Sequence, residues 1–452
     1  MQNYKNKFKG KKITIMGLGI LGRGLGYTKF LAECGADIIV TDLKTKEQLA
    51  TSIKALNKFK NIKYILGEHR LEDFKNRDMV IKAAGVPFDS IYIEEAKKNY
   101  IPIEMDVSLF SKCAPGVMLI GVTGTRGKSM TTTLIYEILK SNENFLNKKV
   151  YLGGNIRGVA TLPLLKKVKE GDILVCELDS WQLQGFCDSK VSPHISVFTT
   201  FMPDHMNYYK NSMDKYFNDK ANIFKFQNKN DILVIRPNMK KLIPKSIKSE
   251  LVVINKNGLD GWKFIVPGDH QRENLACAVK VAEELGVPIY KIKKAVSNFK
   301  GLEGRLELLR VYKGIKIYND NNATTPEATI AGIEALNNNK KNIILVCGGS
   351  DKKLILDDFV KTINKYCKTI VLIPGSGTEV LINPVGDFTK SKLKLKIKNE
   401  VGKDLKDVIQ KALVQAKKGD TILFSPAFAS FGMFNNEYER NDLFIDIIKR
   451  LK

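Results

Sequence analysis

The feature that most constrains this chain is a glycine-rich turn between an apolar strand and a helix. The predicted strand covers Gly116–Val122, and the predicted helix covers Met130–Leu139. Between Gly121 and Gly127 stand five residues, one more than a strict phosphate-binding loop has, but the Gly-Lys-Ser core is intact. In such turns backbone N–H groups surround phosphate, the lysine reaches the terminal phosphates and the serine hydroxyl binds Mg²⁺. The pattern predicts a domain that binds a nucleoside triphosphate; the alternative is a glycine turn without a ligand.

Two further strands of this block lead to residues with metal-binding or acid–base chemistry. The apolar strand Asp172–Cys176 is followed by Glu177. Ligands gather at the carboxyl ends of parallel strands, so Glu177 is either a Mg²⁺-binding acid or an ordinary exposed one. His205 follows the apolar strand Ile195–Phe201 and binds a metal or substrate, or else makes local hydrogen bonds. The pattern around Lys220 by itself predicts only a lysine on a helix surface.

A second glycine-rich turn lies near the start of the chain. A strand over Lys12–Met16 leads into the turn Gly17–Gly22, a helix follows to about Cys34, and the next strand ends at Asp42. Strand, glycine turn, helix, strand and acid in this order are typical of a dinucleotide-binding βαβ unit, whose helix N-terminus attracts anions. Three interpretations stay open: NAD, another nucleotide or sugar nucleotide, or a purely structural turn.

The pattern of apolar runs in the last third of the chain predicts another α/β unit. Its strands, which alternate with helical patterns, are Ile315–Tyr318, Asn342–Val346, Thr369–Ile373 and Thr421–Phe424. Polar segments follow three of them, at Tyr318–Asp320, Gly348–Lys352 and Ser425–Ser430. We expect these three loops to converge on one edge of the sheet, although each taken alone is also compatible with an ordinary connection.

Length and charge set the frame for these motifs. The 452 residues correspond to about three domains of ordinary size, and 44% apolar residues exclude disorder as the main state. The net charge of +25 arises from 73 Lys and Arg against 48 Asp and Glu. It has three interpretations: a nucleic-acid partner, acidic small-molecule substrates, or lysine enrichment spread over solvated faces, which the dispersed lysines favour.

The N-terminus and the cysteines bear on the compartment. No run of about 18 apolar residues occurs, and a βα pattern rather than a signal-peptide core follows the basic N-terminus. The seven cysteines are scattered without a CxxC pair, which is typical of a reduced protein without a disulfide framework. We therefore expect a cytoplasmic protein that is not exported and has no membrane partner.

Together the motifs resemble the Mur ligase family of peptidoglycan synthesis over essentially the whole chain. The matching segments are Gly121–Thr133, Leu152–Asn155, Glu177–Leu183, Asp204–Met206, Gly268–Ala278 and Gly304–Glu307. Within the family, Gly17–Gly22 and Ser425–Arg440 are most similar to members that add glutamate to UDP-N-acetylmuramoyl-L-alanine, and the DNPR motif of diaminopimelate-adding members does not occur. The resemblance implies three α/β domains: a Rossmann-like UDP-binding domain at 1–114, a P-loop ATPase-like domain at 115–302, and a Rossmann-like domain for glutamate and ATP at 303–452.

The resemblance also implies an activity. ATP would phosphorylate the carboxylate of UDP-N-acetylmuramoyl-L-alanine, and the amine of glutamate, expected to be D-glutamate, would attack the acyl phosphate to form an amide. The implied cofactors are ATP and Mg²⁺, and the implied enzyme is a cytoplasmic monomer that serves cell-wall synthesis, cell shape and division, with no nucleic-acid partner.

Residue roles are carried over position by position. The implied catalytic residues are Lys128, His205 and Lys220. The implied ATP contacts are Gly124, Thr125, Gly127, Lys128, Ser129, Asn274 (adenine), Arg305 (γ-phosphate) and Asp320 (ribose). The implied Mg²⁺ ligands are Ser129, Glu177, His205 and Lys220, the last as a carbamate.

Substrate contacts are carried over in the same way. The implied uridine-nucleotide contacts are Gly17, Leu18 and Asp42. The implied muramoyl contacts are Asn155, Ser180 and Gln182. The implied glutamate contacts are Thr324, Lys352 and Ser430.

The chain departs from the family pattern near the acceptor. After the residue matching Asp320, glutamate-adding members usually read Ser-Lys-Ala-Thr-Asn, whereas this chain has Asn321 and Asn322 at the first two of these positions. The missing lysine would pair with a glutamate carboxylate, and a neutral amide is a weaker partner. Gly304 also replaces a histidine, and Asp179 replaces a serine. The acceptor pocket and its stereochemistry are therefore the least determined part of the prediction.

Other functions remain to be weighed. An L-glutamate-adding variant fits the same motifs. Another amide ligase of the superfamily, such as a folate polyglutamating enzyme, is disfavoured by the first glycine turn. A basic ATPase stimulated by nucleic acid is disfavoured because the chain has neither an aromatic RNA-binding motif nor a localised basic arm. A catalytically inactive relative is the last alternative.

Overall fold

The computed structural model describes residues 4–383 and 394–451. Its helices are α1 Tyr4–Phe8, α2 Arg23–Glu33, α3 Ala50–Leu56, α4 Ile91–Lys98, α5 Asp106–Cys113, α6 Lys128–Lys140, α7 Glu143–Leu146, α8 Ser180–Ser189, α9 Met213–Ala221, α10 Asp269–Glu284, α11 Ile289–Asn298, α12 Pro326–Leu336, α13 Asp357–Tyr366, α14 Ser376–Ile382, α15 Leu405–Gln415 and α16 Glu437–Lys449. None of the helices described is long and apolar enough to cross a bilayer.

The strands form three sheets. The first contains β1 Lys12–Met16, β2 Asp37–Asp42, β3 Ile62–Leu66, β4 Met79–Lys82 and β5 Ile103–Glu104. The second contains β6 Met118–Thr123, β7 Val150–Gly154, β8 Ile173–Glu177, β9 Ile195–Phe198, β10 Ile232–Ile235 and β11 Glu250–Val253. The third contains β12 Glu307–Tyr312, β13 Ile315–Asn319, β14 Ile343–Gly348, β15 Cys367–Ile373, β16 Asn399–Val401 and β17 Thr421–Phe424.

In each sheet, the strands that lead into the candidate loops are neighbours. The orders are β3-β2-β1-β4-β5, β11-β10-β9-β6-β8-β7 and β12-β13-β17-β14-β15-β16. The first two sheets are wholly parallel, and the third is parallel except for the β12–β13 pair. Parallel sheets are buried on both faces, which is why β8, β14 and β17 are almost continuously apolar and fully buried.

The chain forms two compact units. One consists of the residues up to Gly261 together with Glu273–Val296, and the other of Trp262–Arg272 together with the residues from Ser297 onward. The first unit therefore holds two sheets and the second unit holds one. The boundaries predicted at 114 and 302 remain predictions.

Within the first unit, small residues allow the two sheets to approach closely. A Cβ built on Gly22 would lie 3.3 Å from the Cα of Gly158, and a Cβ on Gly26 would lie 2.6 Å from that of Ala160. The buried carboxylate of Asp106 accepts hydrogen bonds from the backbone N–H groups of Thr161 and Leu162, each at 2.7 Å. The segment that follows β7 thus packs directly against the first glycine turn and the helices α2 and α5.

Most predicted strands match the structure to within one or two residues, and one does not. The strand predicted over Ile195–Phe201 ends at Phe198. Thr199 and Thr200 leave the ladder because their hydroxyl groups hydrogen-bond to Arg126 in the turn after β6. All seven cysteines are free thiols, and five of them are buried.

Candidate active site

The turn between β6 and α6 depends on its two flanking glycines. Gly124 has a φ of 146°, and a Cβ there would lie 2.0 Å from Thr199 Oγ1. Gly127 caps the helix with a φ of 88°, and a Cβ there would lie 2.4 Å from Asn274 Oδ1. Only glycine fits at both positions, because the backbone is left-handed or crowded there. The helix that follows places Lys128 and Ser129 in its first turn, where the N–H groups favour phosphate.

Two threonines that no sequence motif indicates hold this turn in shape. The N–H of Arg126 donates to Thr200 Oγ1 at 2.8 Å, and the N–H of Thr125 donates to the Thr200 carbonyl at 2.7 Å. The Thr199 hydroxyl donates to the Arg126 carbonyl at 2.6 Å. In the sequence, the only sign of this role is the pair Thr199 and Thr200 directly after β9, the strand next to β6.

Lys128 and Lys220 both donate to one carbonyl of the turn. Lys128 Nζ lies 3.0 Å and Lys220 Nζ lies 2.9 Å from the Gly124 oxygen. The prediction of a surface position for Lys220 was wrong: the side chain is 1% exposed, because α9 packs its last turn against the site. Burial, followed by the charge of Lys128, holds the pKa of Lys220 well below the usual range of a lysine. The lower pKa increases the fraction of neutral amine, which is the nucleophilic form.

Glu177 ends β8 and His205 follows β9, the two strands on either side of β6. Glu177 is buried at the end of β8, and its Oε1 accepts from Asn155 Nδ2 at 3.4 Å. His205 has a φ of 55°, and its ring lies 4.7 Å from that of Trp181. Burial lowers the pKa of His205, Asp204 opposes this effect, and the positive charge of Lys128 reinforces it. The neutral imidazole is the form that binds metals.

In residues 4–383 and 394–451, no three His, Cys, Asp or Glu side chains gather into a metal-binding group. The predicted Mg²⁺ set contains only Glu177 and His205 of these residue types, and adds the hydroxyl of Ser129 and the nitrogen of Lys220. The predicted set therefore offers three oxygen ligands beside the His205 nitrogen only if Lys220 is modified, since an amine is a poor Mg²⁺ ligand.

The predicted adenine contact Asn274 lies against the P-loop helix. Its Oδ1 accepts from Thr131 Oγ1 at 3.1 Å and from an Arg236 guanidinium nitrogen at 2.5 Å. Arg236 also pairs with Glu273 at 2.7 Å. No sequence motif indicates Arg236, which follows β10 and reaches the turn after β6 across the intervening strand β9.

Ser180 and Gln182 begin helix α8. Asp179 caps this helix: its carboxylate accepts from the Gln182 N–H at 2.7 Å, and Gln182 Oε1 accepts from the Asp179 N–H at 3.3 Å. Gln182 is therefore half of a capping box. The muramoyl contacts implied for Asn155, Ser180 and Gln182 remain predictions.

The first glycine turn is fixed by Asp42, one of the implied uridine-nucleotide contacts. Asp42 Oδ2 accepts from the Gly19 N–H at 3.0 Å, and Oδ1 accepts from the Lys44 N–H at 2.9 Å. Leu18 is buried, so the turn presents backbone rather than that side chain. Gly17 has a φ of 95°, and its N–H donates to the Thr41 carbonyl at 2.8 Å. Asp42 thus holds the turn, and its contact with a nucleotide remains a prediction.

In the second unit, the three polar loops converge as predicted. The Ala427 N–H donates to the Ala323 carbonyl at 2.8 Å, which ties the loop after β17 to the loop after β13. Ser350 and Ala429 exchange two backbone hydrogen bonds of 3.0 and 3.1 Å, which adds the loop after β14. Lys352 Nζ lies 3.1 Å from Thr324 Oγ1, and Ser430 directly follows Ala429. The three predicted glutamate contacts therefore share one edge of the sheet.

Asp320 stands at the same edge and is buried. Its Oδ2 accepts from Ser425 Oγ at 2.9 Å, and its Oδ1 accepts from the Leu306 N–H at 3.1 Å. Burial raises the pKa of Asp320 to about 7, against the opposing effects of the Ser425 hydroxyl and the Arg305 charge. Arg305 directly precedes Leu306, so the structure places the two predicted ATP contacts of this unit side by side.

Three family models match the chain. They are Mur ligase MurD-like, N-terminal domain, over residues 11–104; Mur ligase middle domain, over residues 122–275; and Mur ligase, glutamate ligase domain, over residues 304–428. Solved structures of similar fold include the UDP-N-acetylmuramate-alanine ligase MurC of Thermotoga maritima, with a TM-score of 0.62, 20% identity and coverage of 98% of this chain and 100% of that one. The predicted α/β fold is confirmed.

Curated relatives match along their full length. The chain is 34% identical over 476 residues to a UDP-N-acetylmuramoylalanine–D-glutamate ligase of Borreliella burgdorferi strain ZS7, covering 99% of each chain. It is 32% identical over 488 residues to the protein of the same name in Roseiflexus sp. strain RS-1, covering 97% of this chain and 98% of the relative.

Proposed function

This chain belongs to the Mur ligase family, and we propose that it is the ATP-dependent ligase that joins D-glutamate to UDP-N-acetylmuramoyl-L-alanine in peptidoglycan precursor synthesis. The observation that carries the proposal is its full-length similarity to D-glutamate ligases, with the GKS turn intact. We also propose that it acts in the cytoplasm as a monomer.

The reaction needs an activated carboxylate. The terminal phosphoryl group of ATP is transferred to the alanyl carboxylate, and ADP leaves. The amine of glutamate then attacks the acyl phosphate, and the tetrahedral intermediate collapses to an amide and inorganic phosphate. Lys128 and the N–H groups of the turn Gly124–Gly127 offset the negative charge that gathers during the first transfer, a form of electrostatic stabilisation by preorganised groups.

The residues present fit a Mg²⁺ site if Lys220 is carbamylated. The site would be held by Ser129, Glu177, His205 and Lys220, and bound Mg²⁺ would neutralise phosphate charge. Two observations support the carbamate: the amine is buried, and its pKa is depressed. A neutral amine attacks CO₂, a nitrogen–carbon bond forms, one proton leaves, and the product is an oxygen ligand.

The other proposed substrate contacts are divided between the two units. The turns at Gly17–Gly22 and after β7 would receive the uridine nucleotide and the muramoyl group. Asn274, Arg305 and Asp320 would contact ATP. Thr324, Lys352 and Ser430 would hold the incoming glutamate, which is supported by the 3.1 Å contact between Lys352 and Thr324.

The test is phosphate release with each component left out in turn. Release should require ATP, UDP-N-acetylmuramoyl-L-alanine and D-glutamate together. Lys128→Ala should abolish it, while Lys54→Ala, which changes an exposed lysine of α3, should leave it unchanged. Phosphate release with L-glutamate but not with D-glutamate, in the presence of the other substrates, would support the L-glutamate-adding alternative. Phosphate release stimulated by DNA or RNA would support the nucleic-acid-dependent ATPase.

A further inference from the structure

The two departures from the family pattern that flank Arg305 and Asp320 contact each other. A Cβ built on Gly304 would lie 2.8 Å from Asn322 Nδ2 and 3.3 Å from Asn441 Oδ1. The Asn322 N–H donates to the Gly304 carbonyl at 3.1 Å, and Asn322 Nδ2 lies 3.4 Å from the Glu303 carbonyl. The carboxamide of Asn322 therefore occupies space that exists because residue 304 has no side chain.

Behind this pair, Glu303, Asn319 and Asn441 form a hydrogen-bonded wall. Asn441 Nδ2 donates to Glu303 Oε1 at 2.7 Å, and Asn441 Oδ1 accepts from Asn319 Nδ2 at 3.0 Å. Asn319 and Asn441 are buried, and both belong to regular elements, β13 and α16. A side chain added at Gly304 would consequently displace Asn322 rather than the wall.

Asn322 also lies in the loop after β13, one of the three loops that carry the predicted glutamate contacts. It is half-buried and stands two residues before Thr324, whose hydroxyl contacts Lys352. The backbone bond between Ala323 and Ala427 fixes this short segment against the loop that carries Ser430. Residue 322 thus belongs to the loop that carries Thr324, and that loop is tied to the one that carries Ser430.

A carboxamide at this position has a definite chemical consequence. It donates to a carboxylate and accepts from another carboxamide equally well, whereas a lysine only donates and carries a charge. We infer that Gly304 and Asn322 form a matched pair that lowers the dependence of the acceptor site on the charge of the acceptor side chain. The inference rests on the proposed function. It implies that D-glutamine competes with D-glutamate better than in a site with a lysine at residue 322.

The first test compares kcat/KM for D-glutamate and D-glutamine. Asn322→Lys should raise the glutamate-to-glutamine ratio about tenfold, the usual gain of a charged over a neutral hydrogen bond, and the isosteric Asn322→Asp should lower it by a similar factor. Asn338→Lys and Asn338→Asp introduce the same charges on the exposed loop after α12 and should leave the ratio unchanged. An unchanged ratio in both Asn322 variants would overturn the inference.

The second test isolates the contact between the pair. Gly304→Ala should raise the KM for D-glutamate several-fold in the native background but have a smaller effect in the Asn322→Ala background, where no carboxamide meets the new Cβ. Strain from the φ of 67° at residue 304 is common to both backgrounds and cancels in the cycle. Equal effects in both backgrounds would overturn the matched pair.

Failure of the proposed function and failure of the inference give different experimental results. If the native protein releases no phosphate with D-glutamate, the proposed function falls and the inference falls with it. If it turns over D-glutamate but the ratio and the cycle do not respond, only the inference is wrong. The KM for ATP, measured alongside, reports any disturbance of the adjacent Arg305.

Discussion

Single residues of the site are set by burial more than by sequence pattern. Lys220 shows this: its flanking pattern is that of a surface helix, yet its amine lies against the Gly124 carbonyl. The resemblance to a family supplied its role, and the packing of α9 supplied the reason for its low pKa. No local sequence signal reports the desolvation of one side chain, because that depends on three elements meeting.

We expect Lys220→Ala to lose most of the ligase activity, because the variant lacks the nitrogen that would take up CO₂. Formate or acetate should restore part of it by placing a carboxylate in the vacated space. Lys215→Ala, an exposed position on the same helix, is the matched control and should behave like the native protein. Native-like turnover of Lys220→Ala would contradict the carbamate.

A second buried lysine predicts a pH dependence of stability. Lys82 is 1% exposed, its Nζ donates to the Val86 carbonyl at 2.8 Å and lies 4.4 Å from the Phe88 ring centre. Burial lowers its pKa to about 8 against the opposing charges of Asp179, Asp188 and Asp219. Because the folded pKa is below the unfolded one, the unfolded state binds more protons between pH 8 and 10.5, and stability rises with pH in that window.

The corresponding experiment compares the native protein with Lys82→Met by urea unfolding at several pH values. The difference in free energy of unfolding should move by about 3 kcal/mol in favour of the native protein between pH 7 and 10.5. Lys98→Met is the control, since it replaces an exposed lysine at the end of α4. A constant difference across the range would show that Lys82 does not titrate as described.

At the scale of elements, apolar runs predicted most strands that carry the site, while side-chain bonds decided where some of them end. β1 and β17 match their predicted bounds, since nothing but burial and ladder bonds determines them. β9 is three residues shorter than predicted because Thr199 and Thr200 bond to the P-loop turn instead. Such bonds join elements that are far apart in the chain, so periodicity alone does not reveal them.

The capping box of α8 gives a prediction at this scale. Asp179→Ala removes the side chain that accepts from the Gln182 N–H, and we expect a loss of about 1 kcal/mol in stability together with weaker binding of the muramoyl substrate. Asp179→Ser, which restores the residue usual in the family, keeps an N-cap and should lose less. Thermal melting and the KM for the UDP-sugar measure the two effects, and identical behaviour of both variants would contradict the capping role.

At the scale of the whole molecule, the charge remains largely a property of the surface. Of the 73 basic residues, only a few, such as Lys128, Arg305 and Lys352, are assigned to anionic substrates. The substrates are all acidic, so a chain of net charge +25 should attract them over a distance that salt shortens.

We therefore expect the KM values for ATP and the UDP-sugar to rise between 50 and 300 mM KCl while kcat changes little, because screening acts on encounter rather than on the bound groups. Sucrose at matched osmolarity controls for crowding and water activity. If kcat falls by the same factor by which KM rises, salt disturbs the assembled site instead.

The loops of the second unit are joined by main-chain atoms, and this has an evolutionary consequence. The ties between Ala323 and Ala427 and between Ser350 and Ala429 use only N–H and C=O groups, which every residue except proline supplies. Side chains at neighbouring positions such as Asn322, Thr324 and Lys352 are thus free to vary without loosening the frame. Substitutions at such side chains can therefore change which amino acid the loops receive, while the main-chain frame that joins the loops persists.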